Sequence, residues 1–266
     1  LVIFEKYGTK CAITDFAILL DGYVSSINYT SEGNVPKNRT GWWWTKTPYN
    51  NDAHVVDIYG HRNWSDVNGR GGGVRPALSY SSIESISSNT VRGNSGIKEI
   101  LYGEYPQWVV DEKYSHKLEK SYKKGSLAIT GKNYTTDSIN CQNTDTSFRA
   151  RTYTEYEYKG EKFIRIVDNS NYFEQILSDG RKTKIGQAHW LRVEPIIWLV
   201  DEKANIALSK YILFAGAQFK NHRDYKGDFE STDIKRFMDN YLLKEIIVNA
   251  NTLNTGVNIK TNSTDN

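Results

Sequence analysis

With 266 residues, 38% of them hydrophobic and 24% charged, the chain is long enough to bury a sizeable core as one large domain or two small ones. Thirty-four basic residues against 31 acidic ones leave a formal charge of +3 with no run of like charges, so nucleic acid is not expected as a partner. Two cysteines, Cys11 and Cys141, exclude a disulfide scaffold and a Cys-rich metal site, and no stretch of about 18 apolar residues is present to cross a membrane.

The N-terminus LVIFEKYGTK has neither a signal-peptide pattern nor an initiator Met, which fits a fragment or a processed product and leaves localisation open. Residues 14–20 predict a short helix capped by Thr14, with Asp15 in its first turn and Gly22 just past its end, packed beneath the tryptophans that follow. A polar loop over 25–40 leads to strands at 42–46, ended by Pro48, at 53–59 and at 62–67, with Gly60 between the last two: a small antiparallel sheet. Residues 79–100 read mostly as loop. YGEYPQ then precedes a helix over 111–122, on which Val110, Tyr114, Leu118 and Tyr122 recur every four residues before Gly125.

TYTEYEYKGEKFIRIV, at 152–167, alternates and holds Lys159-Gly160 at its middle, the pattern of a hairpin. PIIWLVDEKANIALSKYIL supplies an apolar run at 196–200, a turn at 201–205 and a second run from Ile206, taken as the central buried hairpin. A further helix is capped by Ser231 or Thr232 and buries Ile234, Phe237, Met238, Tyr241, Leu242 and Ile246. The Asn/Thr-rich segment 249–266 reads as a flexible tail or linker to further domains, and 1–248 as one domain of parts 1–86 and 100–248. Short strands mixed with few helices define an α+β chain.

The 13% aromatic content, with 18 Tyr, suits either a recognition surface or a β-rich core. The stretch GWWWTKTPYNNDAHVVDIYGHRNWSDVNGRGGGVRPAL brings the question to one place. Trp42, Trp43 and Trp44 cannot all point one way on a strand, so Trp42 and Trp44 are expected inside and Trp43 nearer the other face. Outward positions, and hence candidate ligand-binding residues, are Tyr49, Asn50, Asn51, His54, Asp57, Tyr59, His61, Arg62, Asn63, Ser65, Asn68 and Arg70; Val55, Val56, Ile58, Trp64 and Val67 read as framework. Gly71 to Gly73 read as a flexible turn, because a phosphate cradle needs a strand-to-helix setting with a following Lys and Ser or Thr. Arg75 reads as a buried hydrogen-bonded or ion-pair anchor.

Two blocks resemble bacterial C-type-lectin-like domains of the formylglycine-generating-enzyme-related branch. TDFAILLDGYV, GWWWTKTP and GVRPAL look like the ending of such domains, and YGEYPQ, EPIIWLVDEKANIALSKYIL and STDIKRFMDNYL like their beginning. The reversed order implies circular permutation or a cut across tandem copies. A narrower resemblance is to variable proteins diversified by retroelements that mutate template adenines, since most of the candidate residues are reachable from Asn codons. It implies a non-enzymatic module whose hypervariable face binds a protein or glycan ligand. The other readings are a receptor-binding part of a phage tail or bacterial surface assembly, and an enzyme related to formylglycine-generating enzyme.

Against the enzyme, neither cysteine has a sequence neighbour that would activate it, and no nucleophile–base pair stands out. His54, His61, His116, His189 and His222 form no metal-binding motif, and Asn63-Trp64-Ser65-Asp66 lacks the accompanying Glu-Pro-Asn of calcium-dependent sugar binding, Glu194-Pro195 being followed by Ile196. No metal and no other cofactor is expected.

Overall fold

A computed structural model describes residues 10–24, 39–69, 71–84, 88–92, 97–135, 152–168, 175–216, 218–220 and 227–242. The first half contains β1 (Cys11–Ala12), α1 (Asp15–Leu19), β2 (Thr40–Gly41), β3 (Trp43–Tyr49), β4 (Asp52–Val56), β5 (Arg62–Asp66), β6 (Ala77–Ser79), α2 (Tyr80–Ile83), β7 (Ser88–Arg92), β8 (Lys98–Val109) and α3 (Glu112–Lys123). β9 (Ala128–Thr135), β10 (Thr152–Tyr158), β11 (Glu161–Val167), β12 (Ala188–Asp201), β13 (Ile206–Ser209) and α4 (Asp233–Phe237) complete it, the last running into a π turn over Met238–Leu242. Strands dominate and helices are few, so the chain is α+β.

The eight-stranded sheet is organised by β12. Leu191 faces Val109 of β8 on one edge and Ile164 of β11 on the other; further along, Trp198 faces Ile100 of β8 and Ser209 of β13. β11 and β13 therefore share one edge of β12 and β8 occupies the other. A strand paired on both edges and covered on both faces must be apolar at both parities. Trp190 accordingly packs with Val110, Leu118 and Phe163 under α3, while its neighbour Leu191 joins the main core. Pro106 and Pro195, which cannot donate to a ladder, lie beside the two register shifts of the β8–β12 pair.

The β10–β11 hairpin matches expectation, Lys159 (φ 55°) and Gly160 (φ 79°) supplying the left-handed turn that matches strand twist. The Asp111 carboxylate caps α3 at Tyr114 N–H (2.8 Å), and Thr232 caps α4 at Lys235 N–H (3.2 Å). Ile246 and the tail lie outside the described residues, as does most of the 25–40 loop.

Four expectations change. α1 is capped by Thr14 as read, yet it packs on β8, with Phe16 edge-on to Tyr105 (5.5 Å) and Tyr153 (5.7 Å), and not beneath the tryptophans. Pro48 lies within β3, opposite Ala53, after a register shift that relieves the ladder of its missing N–H. Segment 79–100 holds α2 and β7 as well as loop. Gly72 and Gly73 are packing glycines: a Cβ on Gly72 would lie 2.2 Å from Trp44 Nε1, and one on Gly73 would lie 2.4 Å from Ile212 Cγ2.

The two resembling blocks share one core. β6 pairs with β13, Val74 bridges Phe214, and Arg75 Nε donates to the Ser209 carbonyl (2.9 Å) with its guanidinium 5.3 Å from the Trp43 ring centre. Arg75 is thus the buried hydrogen-bonded anchor its position suggested. Trp42 and Trp44 meet edge to face at 5.0 Å and Trp44 touches Phe219, while Trp43 lies on the other face, where Arg75 buries it too.

Candidate ligand-binding face

β3, β4 and β5 form a separate three-stranded antiparallel sheet with β4 in the middle. Its turns are built from the residues that punctuate the sequence. Asn50 takes φ 52° between β3 and β4, and Gly60 takes φ 84° between β4 and β5. In the second turn Asp57 Oδ1 accepts from Tyr59 N–H (2.9 Å) and His61 N–H (2.8 Å), while Asp57 N–H donates to the His61 carbonyl (2.9 Å). Asp57, expected to contact ligand, is therefore engaged in shaping the turn.

Directly opposed residues on antiparallel strands share a face. The pairs Tyr49–Asp52, Asp52–Asp66, His54–Trp64 and Val56–Arg62 place Tyr49, Asp52, His54, Arg62, Trp64 and Asp66 together on one face, with the buried Val56 at its inner end. The opposite face carries Ala53 and Val55, both buried, and on β5 Asn63 and Ser65. Side chains that the sequence reading placed on one outward surface are thereby divided between two.

On the first face Tyr49 is 41% exposed and Trp64 55% exposed. Their ring planes lie 24° apart with centroids at 6.4 Å, and the His54 ring lies 4.8 Å from that of Tyr49. His54, expected to point into solvent, is only 9% exposed. Its Nδ1 lies 3.2 Å from the Asn63 carbonyl, which only accepts, so Nδ1 carries the proton and Nε2 accepts from Arg62 Nη2 at 2.6 Å. The 3.4 Å approach of Arg62 Nε to Nδ1 then joins two donors and is no hydrogen bond. His54 thus forms a floor that fixes Arg62.

Trp64, read as framework, is the most exposed Phe, Tyr or Trp among the described residues. The signal was present: RNWSD has a single apolar residue, so its strand has no apolar side to bury, and a lone ring on it stands in solvent. Tyr59 (47% exposed) and His61 stand at the β4–β5 turn with ring centres 6.2 Å apart, and Asn50, Asn51 and Asn68 are exposed at the opposite end of the sheet. Arg70 lies outside the described residues.

Cys11 is buried and donates its thiol to the Lys210 carbonyl (3.4 Å); burial pushes its pKa up, against the opposing pull of Arg75, so a thiolate is disfavoured. Cys141 lies outside the described residues. No described helix is long and apolar enough to cross a membrane, and among the described residues no three His, Cys, Asp or Glu side chains converge to hold a metal. No family model, curated protein or solved structure matches the chain.

Proposed function

We propose that this chain is a non-enzymatic recognition module of C-type-lectin-like fold, circularly permuted relative to the domains it resembles, and that the β3–β5 sheet is its ligand-binding face. The observation that carries the reading is the split between the two sides of that sheet. One side anchors to the core through Trp44, Ala53 and Val55, while the other, buried only at its Trp43–Val56 end, holds Tyr49 and Trp64 half in solvent over a fixed His54–Arg62 pair. Rigid aromatic and planar polar groups bind with little loss of rotamer freedom, which is what a recognition surface needs. The interlocking of β6 with β13 supports the permuted arrangement, because it joins the block that ends such domains to the block that begins them. Burial of Cys11 weighs against a reactive-cysteine enzyme.

The same face is the natural seat of retroelement-driven variation. Sequencing sister alleles tests this: substitutions should concentrate at Tyr49, Asn50, Asn51, His54, Tyr59, His61, Arg62 and Asn68, while Trp43, Trp44, Val55 and Arg75 stay fixed. An even spread of substitutions along the chain would refute the diversified face.

A further inference from the structure

Resting on the reading of the β3–β5 sheet as the ligand face, we propose that Tyr49 and Trp64 form a stacking platform for a neutral saccharide ring, whose hydroxyls are held by Arg62 and Asp66. Three observations select this occupant. The first is area. Two half-exposed rings offer on the order of 200 Å2 of apolar surface, whereas each partner in a stable protein interface buries about 800 Å2. The platform matches one or two sugar rings in area and by itself falls well short of a whole protein interface.

The second is charge. On the shared face Trp64 lies between Arg62 and Asp66 along β5, so donors stand on one side of the ring and acceptors on the other. Asp52, opposite Asp66 on the same face, adds a second carboxylate, so the border offers one guanidinium fork and two carboxylates and disfavours an anionic ligand. It matches a group with an apolar face and a rim of hydroxyls, each able to donate and accept. The third is the strand edge. Trp64 N–H is taken by Asn63 Oδ1 (2.9 Å) and the Asp66 carbonyl by Gly69 N–H (2.8 Å), so β5 is a poor template for an added peptide strand. Binding is left to the side chains, and the rigid His54 floor holds Arg62 where a hydroxyl beside the rings can reach it.

The test uses the full chain, labelled, on an array of hexose- and N-acetylhexosamine-terminated oligosaccharides and on a parallel peptide array. Wild type should bind a subset of the oligosaccharides; Trp64→Ala and Tyr49→Ala should each weaken that binding by about tenfold or more. Trp64→Phe should restore most of the affinity, and Ile185→Ala, on another exposed turn, should leave it unchanged. Because Tyr49 and Trp64 are exposed, all variants should keep the wild-type urea midpoint, and that is checked. Glycan binding indifferent to both rings overturns the platform. Peptide binding that depends on Trp64, with no glycan bound, overturns the saccharide assignment but leaves the recognition face standing. Binding to neither array removes both.

Discussion

At the scale of single residues, exposure divides the aromatic side chains into two populations with different expected consequences. Trp44 is buried against Trp42 and Phe219 with Gly72 pressed on its indole edge, so Trp44→Ala should lower the stability by about 3–5 kcal/mol. Tyr59→Ala, at an exposed turn, should stay within about 0.5 kcal/mol. Urea midpoints measure both, and equal losses would dissolve the distinction between framework and face. His189 makes a second residue-level case. It is fully buried on β12 with neither ring nitrogen hydrogen-bonded among the described residues. Burial first and Arg181 second push its pKa below the ordinary 6.5, with Asp168, Asp179 and Asp15 opposing. Between that lowered value and 6.5 the unfolded chain binds a proton that the folded chain does not, so stability falls as pH drops below 6.5. His189→Leu should flatten this part of the pH–stability curve, and an unchanged slope would show that other groups produce it.

At the scale of elements, α3 shows how a mostly polar helix is fixed to a sheet. Leu118 is its one fully buried apolar side chain, the rings of Tyr114 and Tyr122 pack on Phe163 and Trp190, and a polar anchor adds to that hold. Glu119 accepts from Arg165 Nε (2.9 Å) and Nη2 (3.0 Å) on β11 and from Trp190 Nε1 (3.0 Å) on β12. Arg165 chiefly, with Trp190 assisting, holds the Glu119 carboxyl below its ordinary value of 4.5. The stability this interaction contributes is therefore present above pH 4.5 and is lost as pH falls through the lowered value. Glu119→Ala leaves the Arg165 fork and the indole N–H without their acceptor and should destabilise by about 1.5–3 kcal/mol. Hydrogen exchange should show the loss first in α3; uniform loss across the sheet would mean that α3 is no separate unit.

At the scale of the molecule, Asp15 ties together parts of the chain far apart in sequence. Its carboxylate accepts from the buried Arg39, from Val109 N–H at the end of β8 (3.0 Å), and from Ser178 N–H (2.8 Å) and the Ser178 hydroxyl in the 175–183 turn. Arg39 donates onward to the Ile176 carbonyl. Removing the carboxylate strands a buried guanidinium and orphans two backbone N–H groups. Asp15→Ala should therefore destabilise by about 3–5 kcal/mol, and the melt should remain a single transition if the N-terminal block and the sheet fold as one unit. Two transitions would separate them.

Local chemistry was legible in the sequence, because caps, tight turns and apolar alternation act over a few residues. Thr14 as a cap, Ser231 or Thr232 as another, Lys159-Gly160 as a turn, the β12–β13 hairpin and the three-stranded sheet all followed from spacing alone, whereas Asp111 as the cap of α3 came from the structure. What only the tertiary structure decided depends on which distant segment covers which surface. Asp15 and Arg39 find each other across 24 residues, one whole edge of β12 is taken by β8, far from it in the chain, and glycines that read as a flexible turn are spaces for Trp44 and Ile212. The candidate face followed the same division. The sequence proposed it over residues 49–70 as one surface, but the separation of His54 and Arg62 from Asn63 and Ser65, the covering of His54 and the exposure of Trp64 came from the pairing register and from which face meets the core, neither of which is encoded at any one position.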